Sequence, residues 1–444
     1  MKRIILGAYV VLAVVLLLSH EGWRDEADSW LMVRDAPLHD IPVILGRAGT
    51  PLLWYSVLLP FARVGLPYLA QYVIHALVAI AAVAVFLRIA PFRMPLKVLI
   101  VFSYFLGFEY LAVARSYALM ILLLFLMAWR FREKEFPWLL ALFVNTTVHA
   151  LLIGVGIAAV MAWERRKWKP IAIVAAGGLL AALPIILNRG AASVDLFDII
   201  RWKAPLQAMA GAFMPTITVR RMFLFGVFAF LAAAWSLRRN WQALVILAWS
   251  WAALFFIYTF VYIGDLRHFG LLLMTMLFAL WIGKPEKMVA VEAILCVSLA
   301  VSVVVAAITW RKEVTMGFSG SKEMAAHIPS GDHIFAAHPP PMAESVLAYL
   351  PRDTRFWYPP LNRQGSYMEW DTRLPVATEV PNEIAAAQAL RKFGADPRLL
   401  ILTNGPLTNP KLQLVYRNET RVWAKPDETY WLYRVAGDAN AAGR

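Results

Sequence analysis

The sequence predicts a polytopic α-helical membrane protein with about eleven transmembrane helices, further interfacial helices, and a small C-terminal α/β extracytoplasmic domain. Three observations carry this. Of 444 residues, 60% are hydrophobic and 16% charged, and mean hydropathy is +0.60, whereas a soluble chain carries about a quarter charged residues. Apolar runs are separated by short loops rich in Lys and Arg. From about residue 315 those runs shorten to strand length, and Pro, Asp and other charged residues become common.

The first span, residues 2 to 18, starts with Lys2 and Arg3, which places the N-terminus in the cytoplasm. No small-residue cleavage site follows it, so it is read as a retained helix and not a removed signal peptide. An acidic outer loop, 20–50, comes next and contains Asp25-Glu26-Ala27-Asp28-Ser29-Trp30. A helix over residues 52 to 64 reaches about 20 Å, short of a ~30 Å hydrocarbon core, so the segment 50–65 is expected to lie in the interface.

With that segment not crossing, the later spans fall at 68 to 90, 96 to 113, 115 to 129, 137 to 148, 149 to 163, 170 to 187, 220 to 237, 241 to 262, 268 to 283 and 288 to 309. Every strongly basic short loop then shares a side with the N-terminus. Arg88, Arg93 and Lys97 lie there, as do Arg130, Arg132 and Lys134, then Arg165, Arg166, Lys167 and Lys169, then Arg238 and Arg239, and last Lys284 and Lys287. A crossing at 50–65 would move all of them outside, against the positive-inside bias. The surplus of 43 Lys and Arg over 29 Asp and Glu is therefore a topology signal, and no nucleic-acid partner is expected. The one cysteine, Cys296, precludes an internal disulfide.

An odd number of spans puts the remainder, 314–444, outside, with the membrane domain ending at 313. Its pattern predicts helices at 324–328, 343–350 and 383–392, and strands at 332–336, 399–402 and near 412–416, 421–424 and 430–435. The mixed aromatic and polar run Tyr358 to Asp371 suits a carbohydrate-contacting loop and equally an ordinary one.

On this topology Asp25, Glu26, Asp28, Arg47, Glu109, Arg115, Tyr117, His149, Asp265, Arg267 and His268 all gather at the outer face. Carboxylates beside hydrocarbon are costly, roughly 2.5–3.5 kcal/mol each, and so call for a reason. The acidic cluster has three readings: a helix cap with Trp30 at the headgroups, a general base accepting a proton from an attacking hydroxyl, or a divalent-metal site. Arg115 and the Arg267-His268 pair either mark the membrane boundary or bind a phosphate through a planar fork of donors. A lone His149 after Asn145-Thr146-Thr147 suits a hydrogen-bonded turn as well as a site.

Four motifs resemble the GT-C class of lipid-linked-sugar glycosyltransferases, in particular bacterial relatives of protein mannosyltransferases and of the lipid A aminoarabinose transferase. Asp25-Glu26-Ala27 follows the first span. Gly49-Thr50-Pro51-Leu52-Leu53-Trp54-Tyr55 looks like that family's Gly-His-Pro-Pro-Leu-Tyr-Tyr, Ala114 to Leu119 is similar to its Ala-Arg-x-Tyr-Ala-Leu, and Thr147-Val148-His149 looks like its Thr-His. The resemblance covers about residues 1 to 163, the later spans by pattern only, and barely the tail.

The resemblance implies an inner-membrane enzyme that transfers a sugar from a polyprenyl-phosphate donor to a periplasmic glycan, lipid or protein acceptor, with inversion. Asp25 is the implied base, with Glu26 and Asp28 beside it. Arg115, Arg267 and His268 are the implied phosphate contacts. Thr50 stands where relatives carry His or Lys, and Arg47 is the candidate to take that contact. Tyr117, His149, Tyr55 and Trp54 are expected to line the substrate site. No cofactor and no metal are expected, and membrane lipids are the surrounding partner. A transporter or flippase would instead place charges at mid-membrane depth and show an internal repeat. A non-catalytic scaffold of a cell-envelope polysaccharide system would bind through the outer domain.

Overall fold

The computed structural model describes residues 1–165, 167–193, 199–215, 222–286, 288–394 and 396–436. Arg166 and Lys287 of the basic-loop pattern, and Arg220 and Arg221 at the start of an expected span, lie outside the described residues.

The chain opens with α1 (Lys2–Ser19), followed in the acidic loop by α2 (Arg24–Asp35) and α3 (Ile41–Arg47), and then by α4 (Leu53–Arg63) and α5 (Leu69–Ile89). The helix α6 (Met94–Val101) continues through a π-helical turn, Phe105–Glu109, into the short α7 (Tyr110–Ala112). After these come α8 (Tyr117–Trp129), α9 (Phe136–Val144), α10 (Val148–Arg165), α11 (Trp168–Leu187), α12 (Ala204–Phe213), α13 (Phe223–Leu237) and α14 (Trp241–Phe256). A second π-helical turn, Ile257–Val261, ends α14 before α15 (Leu266–Gly283) and α16 (Val289–Thr315).

Among the described residues six helices are long and apolar enough to cross a membrane, or seven if α6 and the segment Phe105–Ala112, bent by 49°, form one span. The helices α8, α10 and α13 are apolar but shorter. Helix α12 falls where no element is expected, and α16 runs past the expected end at 309 to Thr315. The eleven-residue α4 is not among the helices long enough to cross.

The tail holds α17 (Ser321–Ala326), β1 (Ile334–His338), α18 (Pro340–Leu347), β2 (Phe356–Tyr358), β3 (Arg363–Gly365), α19 (Leu374–Glu379), α20 (Asn382–Phe393), β4 (Leu399–Thr403), β5 (Leu412–Arg417) and β6 (Trp431–Val435). Its six strands run in the order β3-β2-β1-β4-β6-β5. Strand β1 is parallel to β2 and β4, and the other pairs are antiparallel. The expected strand at 421–424 is absent: Val422 makes only a bridge to Gly317, and the segment pairs with the exit of α16 through Trp423 N–H to Gly317 O and Lys425 N–H to Phe318 O. The pull of that exit wins over the sheet.

Side chains alternate across a sheet, and both faces here are covered. Ala336, Trp357, Leu399 and Ile401 pack with Ala386 and Ala389 of α20. Ala337, Phe356, Tyr358, Leu400 and Leu402 instead join Trp30, Leu31 and Val33 of α2 in one core, with α18 seated directly on α2. Burial of this kind is worth roughly 25 cal/mol per Å² of apolar surface, so the tail is fastened to the acidic loop. The cores of the two sequence-defined units are continuous.

Candidate functional site

The acidic stretch forms α2 because its ends suit a helix. Glu26, third in the helix, accepts the Trp23 backbone N–H at 3.1 Å, and Asp25 and Glu26 in the first turn with Arg34 in the last complement the helix dipole. Pro37 follows the end. At 100° per residue, Asp25, Asp28 and Ser29 share one face of α2, and Glu26, Trp30 and Arg34 lie around the other.

The two candidate arginines sit on turns that each follow a π-helical segment, a geometry frequent at functional sites. Arg115 precedes α8. Arg267 stands in the first turn of α15, whose start is fixed by Tyr110 Oη to Arg267 O at 2.6 Å and Tyr258 Oη to His268 O at 2.7 Å. Arg267 Nη2 donates to Asp25 Oδ2 at 3.3 Å and to Asp265 Oδ2 at 2.8 Å. Arg115 Nη1 lies 4.0 Å from Asp25 Oδ2 and donates to the Asp25 backbone carbonyl. Glu109, expected at the same outer face, accepts a hydrogen bond from Tyr104 Oη at 2.8 Å and makes no ion pair with Arg115 among the described residues.

Two further cations complete the surroundings of Asp25. Arg24 Nε lies 4.0 Å from Asp25 Oδ1, while its Nη1 pairs with Asp427 of the tail. Lys425 Nζ stands 3.6 Å from the centre of the Trp23 ring, which Arg267 also approaches at 5.1 Å. Burial pushes the Asp25 carboxyl up, and the charges of Arg115, Arg267, Arg24 and Lys425 outweigh it and hold the group below the usual carboxylate range. Asp25 is therefore ionised at neutral pH, with its side chain 23% exposed.

Asp28 meets the tail. Trp370 Nε1 donates to its Oδ1 at 2.8 Å. Burial raises the Asp28 carboxyl to about 7, opposed by the Trp370 hydrogen bond and Arg115 and reinforced by Asp25. Tyr55 of α4 is buried beside it, its hydroxyl raised to about 12 by burial and then by the Asp28 charge.

Beyond Arg267, His268 stacks on His149 at 4.9 Å and meets the edge of Tyr117 at 5.5 Å. His268 Nδ1 accepts the Asp265 backbone N–H at 2.7 Å, and His149 Nε2 pairs with Tyr262 Oη at 2.9 Å. These rings form an aromatic wall beside the charged cluster.

Three expected residues stand apart. Glu26 is fully buried and turned away from Asp25, bonded to His20 Nε2 at 3.0 Å and to the backbone N–H groups of Trp23 and Ala114. His20 Nδ1 in turn meets Glu313 of α16 at 2.6 Å, so Glu26 anchors the Arg115 turn and faces no open space. Trp54 is buried against His75, ring centres 5.9 Å apart. Arg47 ends α3, where its carbonyl accepts Ala192 N–H, and it is not among the arginines paired with Asp25, which are Arg24, Arg115 and Arg267.

Arg24, Trp23, Lys425 and Trp370 belong to the site and escape the sequence reading. Trp370 lies in the aromatic-polar run 358–371, the one signal pointing to it. Lys425 has none, since only docking of the tail brings it to Trp23. Among the described residues no three His, Cys, Asp or Glu side chains converge to hold a metal ion. Comparison with protein families, curated proteins and solved structures finds no match for this chain.

Proposed function

We propose that the protein is an inverting membrane glycosyltransferase of the GT-C class, moving a sugar from a polyprenyl-phosphate donor to an extracytoplasmic glycan, lipid or protein acceptor. The supporting observation is an ionised, partly exposed Asp25 among four cations, at the ends of apolar helices. In this reading eleven helices cross the inner membrane, including α8, α9, α10 and α13. The N-terminus is cytoplasmic, α4 lies in the interface, and the tail is periplasmic.

The acceptor oxygen attacks the anomeric carbon and gives its proton to Asp25. The bond from that carbon to the phosphate oxygen breaks, and its electron pair leaves with polyprenyl phosphate. Arg115 and Arg267 meet the charge that grows on the phosphate, stabilising the transition state more than the ground state. As they turn toward it they hold Asp25 less, so its basicity rises when a proton must be accepted. Tyr117, His149 and His268 form the wall against which the sugar rests.

The test compares wild type with Asp25→Asn, at equal membrane abundance, for transfer of radiolabelled sugars from a panel of polyprenyl-phosphate donors to envelope fractions. A loss of about 10²–10⁴ in the variant supports the reading. Equal transfer by both removes Asp25 as base, and no transfer by either from any donor favours a scaffold.

A further inference from the structure

On the side of α2 turned away from Asp25 lies a cavity of about 510 Å³, within the size range of ligand pockets. We propose that it binds the phosphate headgroup of an anionic membrane lipid, with the acyl chains along the leucines at its mouth.

The lining has two chemistries. Leu17 and Leu18 from the end of α1, and Leu66 and Leu69 from the approach to α5, form an apolar side. Leu18 is 69% exposed and Leu69 52%, and both stand at the ends of helices long and apolar enough to cross a membrane. The other side carries Lys322, Arg34 and Arg352, and no carboxylate lines the cavity. Asp35 neutralises Arg34 at 2.8 Å. Arg352 reaches Asp35 only at 3.9 Å and is half exposed, and Lys322 acts on the carboxyl of Glu21, which does not line the cavity, without an ion pair among the described residues. Surplus positive charge therefore faces the cavity. A soluble anion has no use for the leucines, and an uncharged lipid none for the cations. An anionic lipid matches both.

The site is separate from the Asp25 cluster. Asp25 and Arg34 lie nine residues apart on α2, hence about 180° around it, with Glu26 between the two regions and its partner His20 at the cavity wall. The cavity joins three parts of the chain: α2 through Trp30 and Arg34, the membrane helices, and the tail through Tyr349 and Arg352. Arg352 Nη2 also donates to Arg34 O at 3.3 Å. A lipid seated here ties the tail to the membrane surface.

Native mass spectrometry of the full chain in detergent, titrated with phosphatidylglycerol, phosphatidylcholine or inorganic phosphate, tests this. Wild type should retain one phosphatidylglycerol roughly tenfold more tightly than phosphatidylcholine. Lys322→Glu, at an exposed position, should lose roughly tenfold of that retention, Leu18→Gln should weaken it several-fold, and millimolar phosphate should not displace the lipid. Equal retention of the two lipids, unchanged retention in Lys322→Glu, or displacement by inorganic phosphate overturns the proposal.

Discussion

Arg267 Nη2 holds Asp25 Oδ2 at 3.3 Å across 242 residues of chain while also holding Asp265 at 2.8 Å. One guanidinium is thus shared between two carboxylates, and it can release one of them to a phosphate without becoming unpaired. In the proposed sugar transfer, Arg267→Ala is expected to lower the rate by about 10²–10³, the range for losing a preorganised donor. Arg267→Lys keeps the charge but not the fork and should retain more activity than the alanine variant. Equal activity of all three proteins in the transfer assay would remove Arg267 from the phosphate site.

Lys425 rests on the Trp23 ring and acts on Asp25 through its charge, without a direct ion pair among the described residues. Lys425→Met should raise the apparent KM for the donor about fivefold and change kcat less, the pattern of an interaction present in ground and transition states alike. A fall in kcat at constant KM would instead assign Lys425 to the chemical step.

Asp28 and Glu344 are neighbouring buried carboxyls, both raised by burial and, for Glu344, by the Asp28 charge. Asp28 titrates near 7 when folded and about 3.9 when unfolded. Between those values the folded state holds a proton that the unfolded state lacks, so stability falls as pH rises from 4 to 7 and then levels. Asn at position 28 keeps an oxygen for the Trp370 N–H and removes the titration. Asp28→Asn should therefore gain about 2–4 kcal/mol at pH 8 and lessen the fall of the thermal midpoint between pH 4 and 7, the remainder belonging to the other raised carboxyls, Glu344 among them. An unchanged slope would identify another group.

His20 bridges Glu26 at 3.0 Å and Glu313 at 2.6 Å. Burial lowers its pKa, but the two carboxylates prevail and raise it to about 10. Because the folded value exceeds the unfolded one of about 6.5, this contribution is complete below pH 6.5 and is lost as pH rises through 10. His20→Gln leaves two buried carboxylates without their cation and should cost about 3–5 kcal/mol, read as a lower thermal midpoint. His20→Gln combined with Glu313→Gln should recover part of the loss; no recovery would place the cost elsewhere.

The helices are legible in the sequence where apolar runs are long and bounded by charge, as in α5, α15 and α16. Their bends are not, because the π-helical turns at Phe105–Glu109 and Ile257–Val261 carry no proline to mark them. Helix α12, ten residues of which four are Ala, gives too little hydropathy contrast. Strands β2 and β3, three residues each, are too short for an alternation to register. In the site, Asp25, Arg115 and Arg267 stand out because ionised groups at helix ends are costly. The inward turn of Glu26 is set by His20 and the Ala114 N–H, partners that only the packing of α1, α2 and α7 supplies. Lys425 and Trp370 depend on the docking of a sheet to a loop, which local pattern does not encode.

The Trp370–Asp28 hydrogen bond spans 342 residues, and most apolar partners of α2 in the tail are equally remote. During synthesis the outer loop emerges when almost none of the surface that will cover Trp30, Leu31 and Val33 yet exists. The carboxylate face of α2 gains its final surroundings only after the last strands have been made. A ribosome that stalls late therefore leaves a chain whose acidic helix is still uncovered, and synthesis of the tail strands is itself the step that assembles the site.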